Sequence, residues 1–247
     1  MSKCEFCLEF SGSQSNEISF FHSLFPHLRD RILFETSNFV VFPGLGQIVE
    51  GYLLIITKNH FPSMADLPQS IYSELSWVID RTSEILKCEY GSDCIQFEHG
   101  ASTYIQGGGC CIEHAHLHIA PLDVDVSPYI VHRKTYECQN YPESARYLLR
   151  LGKPYLYVNL PRENDSESFL MDATDLPSQY MRQVIAKAKG KEDEWDWNIF
   201  LGEKELENCL DKLKPSFDKL KRELIDEKVH KKRDLPYTEL IPSVCKC

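Results

Sequence analysis

Several kinds of protein are excluded by what this chain does not contain. No apolar run approaches membrane-spanning length, and the opening Met1-Ser-Lys-Cys-Glu-Phe-Cys7 has no apolar signal core. The expectation is a cytoplasmic protein with no membrane partner. Positive charge is also in deficit: 27 Lys and Arg stand against 37 Asp and Glu, a formal net charge of −10. That balance argues against a nucleic-acid surface, and an anionic ligand would have to be held by a local pocket rather than steered by the whole molecule. Internal repeats and low-complexity tracts are lacking as well. Cysteine is not scarce, with ten in the chain. Without a secretory leader they read as reduced thiols plus a metal site, not as a disulfide framework.

The informative stretch is Gly107-Gly108-Gly109-Cys110-Cys111-Ile112-Glu113-His114-Ala115-His116-Leu117-His118-Ile119-Ala120-Pro121. Alternation of histidine with small or apolar residues predicts a strand over Glu113 to Pro121. Its period of two puts His114, His116 and His118 on one face. Imidazoles so placed repel one another when protonated and pack a core poorly. Behind a triple glycine that lets backbone amides approach a ligand, they read as a site.

His114-Ala-His-Leu-His-Ile-Ala-Pro121 resembles the signature of the histidine triad superfamily of nucleotide hydrolases and transferases. The resemblance implies that His116, the middle histidine, attacks the α-phosphorus of a nucleotide to form a covalent nucleotidyl-histidine. A neutral imidazole has the free lone pair this chemistry needs. His118 would hold phosphate or leaving-group oxygens. The implied fold is α+β, an antiparallel sheet with flanking helices, over about residues 1–125. A mixed, helix-rich extension over 126–247 would pack on that core.

Local patterns agree with that outline. Strands are expected at Arg31–Glu35, Phe39–Phe42, Gly51–Thr57 and Asp93–His99, with a helix from Asp66 or Ser70 to about Lys87. A short helix is expected over Ser19 to Asp30, interrupted at Pro26. Beyond residue 125, helices are expected over Tyr141–Leu151 and Pro177–Gly190, and strands at Tyr155–Asn159 and Ser168–Asp172. The Glu203–Arg233 segment is charged and helical, with a kink or break at Pro215. Its apolar stripe from Leu206 to Leu224 packs on the parent domain or offers a dimer surface. Glu194-Trp-Asp-Trp197 reads as an aromatic anchor.

Cys4-x-x-Cys7 alone is ambiguous among redox, zinc and chance, and the polar, turn-prone Ser11–Asn16 after it does not suit a thioredoxin-like site. Zinc-bearing triad proteins and their galactose-1-phosphate uridylyltransferase relatives suggest two further ligands, at positions that fall here on His60 and His114. The resemblance thus implies a structural zinc on Cys4, Cys7, His60 and His114.

Other parts of the family pattern are altered. The family's Ala-Gly-Gln-like phosphate segment is Gly108-Gly109-Cys110, so the cradle would rest on the amides of Gly109 and Cys110. Gly44 stands where an aspartate often meets the ribose. Glu98 and His99, in the slot of an Asn-x-Gly segment, are expected at the site. Gln179 and Arg182, three apart in the extension, would share a helix face and reach phosphate. The expected function is hydrolysis of a nucleotide or nucleotide conjugate through nucleotidyl-His116. A transferase or phosphorylase using phosphate or a sugar phosphate, and a non-catalytic nucleotide-binding module, stay open. Triad domains commonly pair, so a homodimer is expected.

Overall fold

Phe39–Pro43 and Leu53–Thr57 are buried at every position, not at alternate ones. Strands like these must sit in a sheet covered on both faces. The computed structural model shows this arrangement. It describes residues 4–10, 18–28, 31–100, 112–162 and 165–233, with side chains to 226.

The helices are α1 (Glu5–Phe10), α2 (Phe20–Leu24), α3 (Tyr72–Tyr90), α4 (Glu143–Arg150), α5 (Tyr180–Ala188) and α6 (Glu203–Arg233). The strands are β1 (Phe34–Glu35), β2 (Phe39–Pro43), β3 (Leu53–Thr57), β4 (Cys94–Gly100), β5 (His116–Pro121), β6 (Thr135–Glu137), β7 (Tyr155–Pro161) and β8 (Ser166–Asp172). They form one sheet in the order β1-β2-β3-β5-β4-β7-β8-β6. Every pairing is antiparallel. The sheet runs without interruption past residue 125, because β7 pairs with β4 from Gln96↔Asn159 to Gly100↔Tyr155.

Alternation along the central strands divides the core. Phe39, Val41, Leu53, Ile55, Leu117 and Ile119 face α3, α4 and α6. Val40, Phe42, Leu54, Ile56, Phe97 and Ala120 face α1 and α5. Full burial of such side chains stabilises by roughly 1.5–3 kcal/mol each, before entropy is counted.

Several elements differ from the sequence expectation, among them an added helix at Glu5–Phe10. The strand at Arg31–Glu35 shortens to Phe34–Glu35, while Arg31 is drawn into a buried ion pair with Glu9. The edge strand β6 is too short to show a period. Helix α6 runs through Pro215 unbroken. Leu213 and Phe217, on either side, are fully buried in one core and hold the two halves in line. Pro215 is exposed, so water can satisfy the carbonyl four residues back, that of Asp211, also exposed. Leu206, Leu213 and Phe217 are all buried within the protomer, so their side of the stripe is not a dimer surface. Among the described residues no helix is long and apolar enough to cross a membrane.

Candidate active site and metal-binding cluster

β5 begins at His116, so His114 lies in the bend before the strand and not on its face. Only His116 and His118 share the cleft-facing side. The His116 Nδ1–H donates to the His114 carbonyl at 2.5 Å. This leaves Nε2 as the ring's other nitrogen, with its lone pair. His118 stacks on Phe97, with ring centres 4.5 Å apart and planes 8° apart, and its Nδ1 lies 2.8 Å from the Tyr52 hydroxyl. Burial lowers the pKa of both histidines, holding them neutral.

Both rings line a cleft of about 950 Å³, its open mouth included. α1, α2, β2–β3, β4 and α5 wall it. The Phe97↔His118 register, continued two residues, sets His99 across from His116 on the neighbouring strand. His99 lines the cleft, and its Nε2 is buried with no hydrogen-bond partner among the described residues. Burial and the nearby His116 push its pKa down to about 4.

Glu98 requires a correction. Adjacent strand residues point to opposite faces, so Glu98 and His99 cannot share the site. Glu98 is 1% exposed on the far side of the sheet and accepts from the Met64 N–H at 2.7 Å and from the Tyr141 and Tyr155 hydroxyls.

Gln179 and Arg182 are also corrected. Gln179 caps α5 in the left-handed region, φ 57°, instead of sharing its helical face. Its amide donates to Asp196 and accepts from the Trp197 N–H. Arg182, 4% exposed, donates to the carbonyls of Trp195 (2.7 Å) and Gly46 (2.7 Å) and more weakly to that of Leu45 (3.4 Å). Both residues line the cleft, but their polar groups are spent on knitting the 195–197 segment and the 44–46 loop to α5. Gly109 and Cys110 lie outside the described residues.

Around the start of α1, Cys4, Cys7, His60 and His114 converge, one ligand atom from each lying within 4.8 Å of the others. The Cys4 and Cys7 sulfurs are 3.4 and 3.6 Å from His114 Nδ1, and Cys7 Sγ is 3.5 Å from His60 Nδ1. A tetrahedron with zinc bond lengths of about 2.0–2.3 Å has N–S edges of about 3.5 Å, so the donor set has the right size. His114 Nε2–H donates to the Thr57 carbonyl at 2.7 Å, which turns Nδ1 toward the sulfurs.

The sequence singled out neither Tyr52 nor the buried Glu9–Arg31 pair. The only hint of the first is a tyrosine opening an otherwise aliphatic strand, Gly51-Tyr-Leu-Leu-Ile-Ile-Thr57. The pair has none, because its partners come from separate elements.

The arrangement agrees with the resemblance to the histidine triad superfamily: His116 and His118 lie on a central antiparallel strand and turn into a cleft, and His114 sits in the bend before them. No family model matches the chain. Over 139 residues it is 23% identical to a bis(5'-adenosyl)-triphosphatase of Dictyostelium discoideum, covering 55% of this chain and 82% of that one. A solved member of the HIT family from Bacillus subtilis is 14% identical, covering 60% of this chain and 96% of its own, with a TM-score of 0.39. A Zn-bound histidine triad family protein from Mycobacterium smegmatis is 18% identical, covering 53% and 90%, with a TM-score of 0.32.

Proposed function

We propose that the chain is a hydrolase of nucleotide conjugates that cleaves at the α-phosphate through a nucleotidyl-His116 intermediate. The observation that carries this reading is the 2.5 Å hydrogen bond from His116 Nδ1–H to the His114 carbonyl. With Nδ1 so bound, Nε2 of the neutral buried ring keeps a lone pair and would serve as the nucleophile. Nε2 donates its lone pair to phosphorus while the P–O bond to the leaving group breaks and that oxygen keeps the electron pair. Water then forms a new P–O bond, the P–N bond breaks, and its pair returns to Nε2. The two protons of the water end on the two products. His118 and His99 would contact the phosphoryl oxygens, and the Gly109 and Cys110 amides would complete the cradle.

Hydrolysis as the outcome follows the activity named for the Dictyostelium relative. Recognition would rely on shape more than charge. Among the described residues the arginines of the cleft are Arg31, paired with Glu9 at 2.7 Å, and Arg182, bound by carbonyls, while residues 101–111 contain no charged side chain.

Cys4, Cys7, His60 and His114 would hold a structural zinc. Bound there, the metal supplies a cross-link between α1 and the segment leading into β5. The nucleophile sits two residues beyond His114, so the same cross-link would fix its height above the cleft.

Purified protein mixed with a p-nitrophenyl ester of a nucleoside 5'-monophosphate, then quenched in mid-turnover, tests the reading. The peptide containing His116 is expected to gain the mass of a nucleoside monophosphate. Turnover without any adduct on His116, or an unchanged rate in His116→Ala, would overturn it.

A further inference from the structure

Gly44 and Gly46 carry no side chain, and the space each leaves is taken. A Cβ on Gly44 would come within 3.2 Å of the Tyr52 ring, and one on Gly46 within 2.6 Å of Arg182 Nη2. The two glycines therefore make room for a tyrosine and an arginine that meet behind His118. The Arg182 guanidinium carbon is 5.2 Å from the Tyr52 ring centre, and the Tyr52 hydroxyl is 2.8 Å from His118 Nδ1. Phe97 stacks on a face of the imidazole.

We propose that Arg182, Tyr52 and His118 form a positioning chain that locks His118 in the Nε2–H tautomer and aims that N–H at the phosphoryl group.

The direction of the hydrogen bond between Tyr52 and His118 follows from the donor inventory and the charge beside the phenol. A guanidinium has donors and no acceptor. A phenol beside it turns its oxygen lone pairs to the arginine and its proton toward the remaining partner, His118 Nδ1. Complete burial pushes the Tyr52 phenol up to about 12 against the lowering charge of Arg182, and keeps its proton in place. With Nδ1 accepting, the single imidazole proton of neutral His118 must sit on Nε2, at the edge of the ring left for a ligand in the cleft. His116 has the opposite tautomer, with Nδ1–H bound to a carbonyl. Neighbouring rings 4.9 Å apart thus divide the work, one offering a lone pair and the other a hydrogen-bond donor. Arg182 and Tyr52 act through His118. The absence of a side chain at Gly44 is what allows the Tyr52 ring to take this place.

The part played by the Nε2–H rests on the hydrolase reading, but the tautomer does not. The test is the two-bond ¹H–¹⁵N spectrum of protein labelled at histidine nitrogen, recorded near neutral pH. Wild-type protein is expected to show His118 with Nε2 protonated and Nδ1 bare, assigned by loss of the signals in His118→Asn. Tyr52→Phe, which keeps the ring, is expected to give a mixture of both tautomers at a near-wild-type melting temperature. Gly44→Ala, which pushes the Tyr52 ring aside, is expected to move the same signals part of the way. On the p-nitrophenyl nucleotide ester, Tyr52→Phe should lower kcat about 10-fold or more with KM little changed, the mark of a lost transition-state contact. A wild-type His118 protonated on Nδ1, or signals unmoved in Tyr52→Phe, would overturn the proposal. Absence of any turnover with the expected tautomer in place would instead count against the hydrolase reading.

Discussion

At the scale of single residues, neighbours three or fewer apart do different work. His116→Ala is expected to abolish turnover and the covalent adduct while leaving the fold intact. His114→Ala is expected to reduce bound zinc and melting temperature together, read by elemental analysis and calorimetry, because His114 faces Cys4 and Cys7 instead of the cleft. Glu98 gives a pH prediction of its own. Burial is the largest influence on it and raises its pKa from 4.5 to about 7, against three hydrogen bonds that pull it down. The folded chain therefore keeps a proton that the unfolded chain has already lost. Stability from this group is complete below pH 4.5 and is lost as pH rises through about 7, by at most about 3 kcal/mol. Denaturant titrations across that range should show the decline, and Glu98→Gln should flatten it. A decline of equal size in the variant would assign the effect elsewhere.

At the scale of elements, α1 joins the two centres. Six residues long, it carries Cys7 and follows Cys4, and Glu5, Phe6 and Glu9 line the cleft. Phe6 meets His114 and His116 edge-on, both at 5.7 Å. So short a helix has little stability alone and must be held by tertiary contacts. Replacing Cys4 and Cys7 by Ser is expected to speed amide exchange throughout residues 5–10 and to weaken nucleotide binding in parallel. Exchange unchanged in the double variant would show that packing alone holds the helix. The second anchor is Arg31, 4% exposed, bound to Glu9 through both carboxylate oxygens at 2.7 Å and capped by Phe21 and Phe42. Glu9→Gln leaves a buried guanidinium without its counter-charge. The expected loss is about 3–5 kcal/mol by chemical denaturation.

Across the whole molecule, charge opposes the proposed substrate. The chain has a formal net charge of −10, and the cleft adds Glu5 and Glu9 to its two arginines. A polyanionic nucleotide approaches against this field, and salt screens it. KM for a dinucleoside polyphosphate is expected to fall as ionic strength rises from about 0.01 to 0.15 M, where the Debye length shrinks from about 30 to about 8 Å. A KM that rises with salt would mean that local cations dominate capture. The eight-stranded sheet sets the other large-scale property, since β7 and β8 lie beyond β4 in the same hydrogen-bonded layer. Val158 and Leu160 share the cleft-side core with Phe97, and Tyr155 and Tyr157 share the opposite core with Leu117. The C-terminal segment is thus part of what positions β4 and its His99.

Much of the architecture was legible in short stretches of chain. Short β-prone runs between turn residues marked β2, β3 and β4, alternation marked β5, the 3.6-residue period marked α3 and α6, and the His-x-His-x-His spacing carried the resemblance to the histidine triad superfamily. Each of these depends on residues within a turn or a strand of one another, where geometry is fixed by the local backbone. The pairing of distant groups was not legible. Tyr52 and His118 are 66 residues apart, Cys4 and His114 are 110 apart, and Arg182 and Gly46 are 136 apart. No local pattern records which of several polar groups a folded chain will bring together. Glu98 and His99 illustrate the limit. Their composition suggested two polar ligands, but a strand sends adjacent side chains to opposite sides, and only packing decided which side held the cleft. Arg182 was drawn from phosphate binding to backbone carbonyls for a related reason. Once buried, its guanidinium had to satisfy its donors at once, and the 44–46 loop and Trp195 supplied the nearest acceptors.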